Sequence, residues 1–355
     1  MTDDRLTGSE CWPIRSRLFI GRITDRADAR SFYRAGLMLA ASLLCSCSGP
    51  QSALDPAGPE AEDVAILFFT MVVGGALIWC SVVGILFYAS RKKHAYDAGQ
   101  ASRIILWCGV VFPTIVLGAL LSYAVWLMPN IRPGFGEANA RLRTIDVAGE
   151  QFWWRVRYQN AEGSAAFETA NEVRVPVGER VLFKLTSPDV IHSFWIPVLG
   201  GKMDVIPGRE NHLTLMAEKP GTYRGVCAEF CGPSHAFMAF TVVAMEPGAF
   251  EDWTKARASF DGARDAEGLA LFLKHGCSAC HAISGTEARG TIGPDLSGFG
   301  ERGSVGVGAL VNTQEDIARF IRNPSEIKPG ARMPHFSMLP ETDIQRIAAY
   351  LKGLQ

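Results

Sequence analysis

The sequence predicts a multi-domain membrane protein: a two-helix transmembrane hairpin, then an all-β Greek-key sandwich, then an all-α domain. Three observations support this prediction. Two uncharged apolar runs, 64–90 and 104–130, each exceed the roughly 20 residues needed to cross a bilayer core. Short alternating apolar runs broken by Gly and Pro then follow. The C-terminal part changes to a helical apolar period.

Composition agrees with this layout and narrows the function. The 355 residues leave room for two or three domains. A formal net charge of −1 gives no bulk attraction to nucleic acid, so we expect no nucleic-acid partner. The nine cysteines do not have the spacing of a disulfide scaffold.

Residues 1–47 have the pattern of an export leader. Positive charge precedes a short apolar run, 35–44, which is the order found in signal peptides. The run ends in Leu-Cys-Ser-Cys, which resembles a bacterial lipoprotein box with Cys47 as the lipidated residue. An uncleaved leader with two unmodified thiols is the alternative.

The predicted transmembrane hairpin covers 48–130, with helices over about 64–90 and 104–128. The loop between them carries Arg91-Lys92-Lys93, and such a basic loop belongs on the cytoplasmic side. Both ends of the hairpin, and everything that follows it, are therefore expected on the outer face of the membrane. Lipid is the expected partner of both helices.

Residues 131–247 are predicted to form the β sandwich, followed by a connector over 248–264. Six segments alternate apolar and polar residues as strands do: 143–147, 152–158, 172–176, 180–185, 211–216 and 240–244. Several short strands without a long helix predict an antiparallel sandwich. Loops on such a rigid frame can hold a metal with little rearrangement.

One short stretch between the last two of these segments gathers the donors of a soft metal: Cys227, Cys231, His235 and Met238. Thiolate and thioether select copper or iron–sulfur, and imidazole is a good copper ligand. A second imidazole, His192, lies upstream. Two Cys four residues apart can bridge two metal ions, with one His terminating each. The thioether and the Glu229 carbonyl then remain as weak ligands, and a disulfide between the two cysteines is the alternative.

The spacing of these residues resembles the dinuclear copper A site of cytochrome oxidase subunit II, and the strands resemble its cupredoxin domain. The same copper site occurs in nitrous-oxide reductase, which is disfavoured because its second, His-rich copper domain is absent from the sequence. The resemblance implies two copper ions held by His192, Cys227, Cys231, His235, Met238 and the backbone carbonyl of Glu229. It also implies a Mg2+ ion, shared with a partner subunit through the Glu229 side chain.

Two further positions match the subunit II pattern. Asp204 would orient a ligand histidine, with an ordinary surface Asp before a turn as the alternative. The stretch Gln151-Phe152-Trp153-Trp154 matches a Q-W-x-W pattern in which a ring passes electrons to copper A. The resemblance carries that role to Phe152 or Trp153 without choosing between them, and core packing is the alternative.

Residues 265–355 are predicted to form an all-α domain that binds haem. The segment Cys277-Ser-Ala-Cys280-His281 is the attachment sequence of a c-type haem. Each cysteine bonds to a haem vinyl group, and the adjacent histidine is placed on one axial face of the iron.

The second axial ligand is expected downstream of the attachment sequence. The segment Lys328-Pro-Gly-Ala-Arg-Met333-Pro resembles the methionine loop of class I cytochromes c, which implies Met333 as that ligand. His335 and Met338 are nearby competitors. Methionine ligation raises the haem potential relative to two histidines, as a donor to a high-potential oxidase requires.

Residues 35–355 together resemble subunit II of a caa-type cytochrome c oxidase, in which a copper A domain is fused to a cytochrome c. The resemblance implies an oxidoreductase subunit that takes electrons from an external cytochrome c through haem c and copper A. Subunit I would then reduce dioxygen to water and pump protons. The implied partners are subunits I and III, the donor cytochrome and lipid. The implied location is the bacterial cytoplasmic membrane, with both domains on the periplasmic face.

Two alternative functions stay open, and one position differs from the family pattern. The copper A subunit of a nitric-oxide reductase has a related layout, and a membrane-anchored copper delivery protein would need no haem. Many subunits II carry a Glu at the cytoplasmic side of the second membrane helix. No Glu occurs in 101–107, so proton uptake through this subunit is in doubt.

Overall fold

The computed structural model describes residues 34, 48–91, 97–131, 142–160, 165–263 and 265–355. The predicted lipidation site, Cys47, lies outside these residues, so lipidation stays a prediction. Within Ser48–Gln355, which form one compact unit, two apolar helices, a β sandwich and a helical domain follow one another. This order confirms the predicted fold class.

Two helical spans are long and apolar enough to cross a membrane, Pro59–Arg91 and Gly99–Pro129. The first is helix α1. The second runs through three consecutive elements, which are α2 (Ala98–Leu106), a π-helical turn (Trp107–Val111) and α3 (Phe112–Ile131). Their large apolar side chains are mostly exposed, which suits contact with lipid.

Helix α1 begins before the predicted start at Val64, because its first turn packs against the sandwich. Glu60 is buried there and forms an ion pair with Arg180. Just before the helix, the Ala57 N–H donates to the Val198 carbonyl at 2.8 Å. The hairpin is therefore joined to the sandwich immediately outside its apolar run.

Ten strands in the described part of the sandwich form two five-stranded sheets. They are β1 (Arg143–Glu150), β2 (Trp153–Gln159), β3 (Ala165–Ala170), β4 (Glu172–Pro176), β5 (Arg180–Thr186), β6 (His192–Trp195), β7 (Met203–Val205), β8 (Asn211–Met216), β9 (Gly221–Cys227) and β10 (Ala239–Met245). The strand orders are β3-β2-β1-β5-β8 and β4-β10-β9-β6-β7.

The sheets are mixed, whereas the sequence predicted an antiparallel sandwich. Strand β1 pairs with β5, and β4 with β10, in parallel. The chain changes sheets before and after β4, so these pairs join strands that are distant in sequence. Strands β3, β6, β7 and β9 were not predicted, and β6 and β7 have only four and three residues to display a pattern.

Trp154 of β2 lies in the sandwich core and is 0 % exposed. Its ring centroid is 5.4 Å from those of Phe194 and Phe240. The His192 ring lies 6.0 Å away. Such aromatic pairs are favourable beyond the area that they bury. The core thus extends directly to the first predicted metal ligand.

The remaining α-helices and one hairpin of two short strands form the connector and the C-terminal domain. They are α4 (Pro247–Ala258), α5 (Ala266–Lys274), β11 (Ser304–Val305), β12 (Leu310–Val311), α6 (Gln314–Arg322), α7 (Pro324–Ile327) and α8 (Glu341–Gly353). Phe250 of the connector helix is buried in the sandwich core. Helices α5 and α8 meet at Gly268, where an added Cβ would lie 2.4 Å from Tyr350 Cβ.

Candidate metal and haem sites

Four donors meet around a pair of sulfur atoms in the sandwich. The Sγ atoms of Cys227 and Cys231 are buried and lie 3.9 Å apart. His192 Nδ1 is 3.8 Å from the first sulfur, and His235 Nδ1 is 3.6 Å from the second. Both cysteines are free, so the alternative disulfide is not formed, and each sulfur has its own imidazole.

Two weaker donors complete the set, one on each sulfur. Met238 Sδ lies 3.7 Å from Cys231 Sγ. The Glu229 carbonyl oxygen lies 3.2 Å from Cys227 Sγ. Two thiols, two imidazoles, a thioether and a carbonyl therefore converge, and this mixture fits a pair of soft metal ions.

Strand pairing holds two of the ligands, His192 and Cys227. His192 begins β6 and Cys227 ends β9, and these strands are neighbours in one sheet. The Cys227 N–H donates to the Met238 carbonyl at 3.0 Å, which ties a third ligand to the same strand end. A Cβ at Gly149 would lie 2.8 Å from His192 Cδ2, so only glycine admits this ring. Neither contact has a local sequence signal.

The carboxylate that contacts His192 is Asp189, whereas the sequence pointed to Asp204. Nε2 of the ring donates to Asp189 Oδ1 at 3.0 Å, which leaves Nδ1 facing the sulfurs. Asp204 Oδ1 instead accepts from Ser193 Oγ at 2.8 Å. Burial alone would raise the pKa of Asp189, but the Gln151 N–H and the His192 ring hold that pKa below its usual value.

The two thiols titrate very differently. The hydrogen bond between the sulfurs lowers the pKa of Cys227 to about 4, with His192 contributing in the same direction. The same hydrogen bond, together with burial, raises the pKa of Cys231 above its usual range. The shared hydrogen bond therefore favours ionisation of Cys227 over that of Cys231, and a bound cation favours ionisation of both thiols.

The haem-attachment residues line a cavity of about 280 Å³. Cys277 and Cys280 belong to the turn after α5, and His281 follows. Nδ1 of His281 donates to the Pro294 carbonyl at 2.8 Å, so Nε2 is free to bind a metal. Burial lowers the pKa of His281, which keeps the ring neutral as a ligand must be.

The cavity separates the three candidates for the second axial ligand. Met333 lines it. Met338 is 68 % exposed, and His335 is exposed with Nδ1 beside Ser337 Oγ at 3.1 Å. A mostly apolar cavity with two thiols, an imidazole and a thioether on its walls fits a covalently attached iron porphyrin.

The Phe152 ring lies between the two sites. An added Cβ at Gly232, next to Cys231, would be 3.0 Å from Phe152 Cε1. One at Gly330, in the methionine loop, would be 3.2 Å from Phe152 Cε2. Trp153 lines the haem cavity, and the Arg155 guanidinium carbon lies 4.6 Å from the Trp153 ring centroid.

Polar contacts also join the two domains near Phe152, and no local sequence pattern reveals them. Ser234 Oγ donates to the Pro329 carbonyl at 2.6 Å. Arg155 donates from Nη2 to the Thr291 carbonyl at 2.9 Å. The metal-ligand loop (227–238) and the methionine loop (328–333) are therefore in contact through the Ser234–Pro329 hydrogen bond, and the Phe152 ring lies close to both loops.

Comparison with known proteins matches each domain separately. A family described as cytochrome C oxidase subunit II, periplasmic domain, matches residues 159–245, and the cytochrome c family matches residues 266–355. Cytochrome c oxidase subunit 2 of Alkalihalophilus pseudofirmus is 34% identical over 88% of this chain and 94% of its own. The Bacillus subtilis protein of that name is 30% identical over 90% of this chain and 96% of its own.

Solved structures are also similar to part of this chain. One of them is the periplasmic domain of subunit II of cytochrome oxidase of Bradyrhizobium japonicum, with 34% identity and a TM-score of 0.30. The alignment covers 32% of this chain and 91% of that one.

Proposed function

This chain belongs to the cytochrome c oxidase subunit 2 family, and we propose that it is the subunit through which electrons enter a haem–copper oxidase of aerobic respiration. It is a two-pass membrane protein that carries a cupredoxin-like domain and a fused cytochrome c domain. The first domain implies copper A, and the second implies haem.

The observation that carries the proposal is the paired donor set. Two cysteine sulfurs, each with its own histidine, would hold two copper ions, with Met238 and the Glu229 carbonyl as weak ligands. When bound, this centre supplies one-electron transfer. The chain's part is to hold the donors still: β6 and β9 fix His192 and Cys227, and Asp189 fixes the ring of His192.

In the C-terminal domain, Cys277 and Cys280 would attach the haem, and His281 and Met333 would bind its iron. A bound haem c supplies a second one-electron carrier. The His281–Pro294 hydrogen bond orients the imidazole, and the mostly apolar walls of the cavity would contact the haem ring. The Phe152 ring between the methionine loop and the metal-ligand loop supports electron flow from an external cytochrome c, through the haem domain, to the copper domain.

The surface beside the metal ligands supports the transfer of electrons from this chain to subunit I. Phe230 and Phe237 are exposed, and so is Ile191 next to His192. Exposed apolar side chains of this size suit a protein interface. Glu229 is also exposed, so its side chain is free to share a Mg2+ ion with that partner, while its carbonyl faces Cys227. Subunit I would reduce dioxygen to water with proton pumping, and subunit III would complete the complex.

The proposed location is the bacterial cytoplasmic membrane, with both domains on the periplasmic face. The basic residues that precede the second span support this orientation. Cys47 would be the lipidated first residue of the mature chain. Mass analysis of that chain tests the assignment: an unmodified residue other than Cys47 at its start refutes it.

Gas consumption by the purified complex tests the proposed function. We expect rapid oxygen uptake with reduced cytochrome c as donor, and slow consumption of nitric oxide. The reverse preference would identify a nitric-oxide reductase, the second candidate that shares the copper site. A membrane-anchored copper delivery protein would contain no covalent haem and would consume neither gas.

A further inference from the structure

Lys328 bridges the two domains at the point where they meet. Its side chain is buried, with the residue 4 % exposed. Nζ donates to the Phe152 carbonyl of the copper domain at 2.5 Å and to the Gly306 carbonyl of the haem domain at 3.1 Å. A single ammonium group therefore fastens the aromatic stretch to the haem domain.

Among the described residues, no carboxylate forms an ion pair with the Lys328 ammonium. Burial lowers the pKa of Lys328 to about 7, opposed by the Cys231 sulfur. An ammonium group has three N–H donors, and two of them are used. Burying such a group without a counter-charge is unfavourable, so a missing anion is expected at this position.

Lys328 also lines the cavity that contains the haem-attachment cysteines, His281 and Met333. A haem carries two carboxylate side chains in addition to its apolar ring. The cavity ligand itself would therefore bring the anion that no described carboxylate supplies. This argument rests on the haem site of the proposed function.

We propose that Lys328 binds a haem carboxylate with its remaining N–H while it holds the Phe152 carbonyl. The haem, its methionine loop and the copper domain are then joined through one side chain. Lys328 is a positioning residue. Haem binding stabilises the contact between the domains, because the haem carboxylate balances the positive charge of the ammonium group that makes the contact.

The test uses the full chain in its purified oxidase complex, with Lys328→Met and a matched control, Lys352→Met. Lys352 also donates to a glycine carbonyl, that of Gly300 at 2.9 Å, but it does not line the cavity. Covalent haem content is measured first. The haem midpoint potential and amide hydrogen exchange over 151–153 and 231–234 are then compared.

We expect Lys328→Met to retain haem, to lower the midpoint potential and to speed exchange in both segments. Removing a positive charge beside the haem favours the oxidised iron, by about tenfold in the redox equilibrium, or about 59 mV for one electron. The control should change neither quantity. An unchanged potential in Lys328→Met, or an equal shift in the control, overturns the proposal. Faster exchange without a potential shift also overturns it, because Lys328 would then bind carbonyls alone.

If Lys328→Met does not accumulate, two further variants test whether the charge of Lys328 affects the haem potential. Lys328→Arg keeps the charge and should keep the potential, whereas Lys328→Gln keeps donors without charge and should lower it. Equal potentials in these two variants contradict the proposal. Absence of covalent haem from the unmodified complex would instead refute the proposed function, so the two failures are distinguishable.

Discussion

The copper site and the haem cavity are built in opposite ways. In the sandwich, the protein donors already contact one another, with His–Cys and Cys–Cys separations of 3.6–3.9 Å. In the C-terminal domain, the donors line a cavity of about 280 Å³. The sandwich core is therefore complete without its metal, whereas the haem domain gains part of its core from the haem.

This difference predicts that loss of haem destabilises its domain more than loss of copper destabilises the sandwich. The sandwich buries Trp154, Phe183 and Phe194 around strands that hold the metal ligands, so it should stay folded without copper. The haem domain has a smaller cluster of buried residues, and Phe272 and Ile321 of that cluster face the cavity. An unfilled apolar cavity costs stability, because the atoms around it lose their contacts.

The largest effect is expected from Cys277→Ala with Cys280→Ala. Both thioether bonds to the haem are lost, and the C-terminal domain should become the first site of limited proteolysis. Acid–acetone extraction followed by absorbance measures the covalent haem, and copper analysis serves as the control. Haem that still resists extraction would refute the attachment site.

The matching change in the sandwich is Cys227→Ser. The near-infrared copper band should disappear, because a hydroxyl is a poor bridge between soft ions. Protease resistance of the sandwich and covalent haem content should both stay at wild-type levels. An intact band would contradict the ligand assignment, and a sandwich that unfolds would contradict the comparison.

Met333→Leu should leave the haem attached and remove its sixth ligand. The haem midpoint potential should fall, and the absorption band from sulfur–iron bonding should be lost. Met338→Leu is the matched control, since Met338 is 68 % exposed and does not line the cavity. Loss of the band in the control instead would transfer the ligand role to Met338.

Asp189→Asn should weaken copper binding by roughly 10–100-fold, because the carboxylate no longer fixes the His192 ring. Competition with a copper chelator measures the affinity. Asp204→Asn, which changes a contact to Ser193, should have a much smaller effect. Equal losses in the two variants would contradict the role given to Asp189.

The smallest effect is expected from Ser234→Ala, at the contact between the two sites. It removes the hydrogen bond to the Pro329 carbonyl and should lower the free energy of unfolding by about 1 kcal/mol. Denaturant unfolding monitored by haem absorbance measures the change. Ser337→Ala is a control on the exposed surface of the haem domain, and an equal loss there would refute a specific contact.

The sequence predicts those features of the site and the fold that depend on contiguous residues. The Cys-x-x-Cys-His segment, the Cys-x3-Cys-x3-His-x2-Met segment and the two long apolar runs each carry their own pattern. The apolar runs located both membrane spans, although the first helix begins earlier. That shift depends on a tertiary contact of Glu60, which no local pattern contains.

The rest of the site depends on contacts that no contiguous pattern contains. The sequence predicts His192 as a ligand but not its strand, because the four residues of β6 are too few for an alternation to be recognised. Asp189 was overlooked because its role appears only when it reaches the His192 ring. Lys328 and Phe152 are 176 residues apart, so neither residue type nor spacing indicates that they meet.

Electron paramagnetic resonance of the oxidised complex tests the central claim most directly. If the two cysteine sulfurs hold two copper ions together, the spectrum should show the hyperfine pattern of one electron shared equally by two copper nuclei, and Cys231→Ser should abolish that pattern. A signal from a single copper nucleus at this site, or a shared-electron signal that survives in Cys231→Ser, would contradict the account.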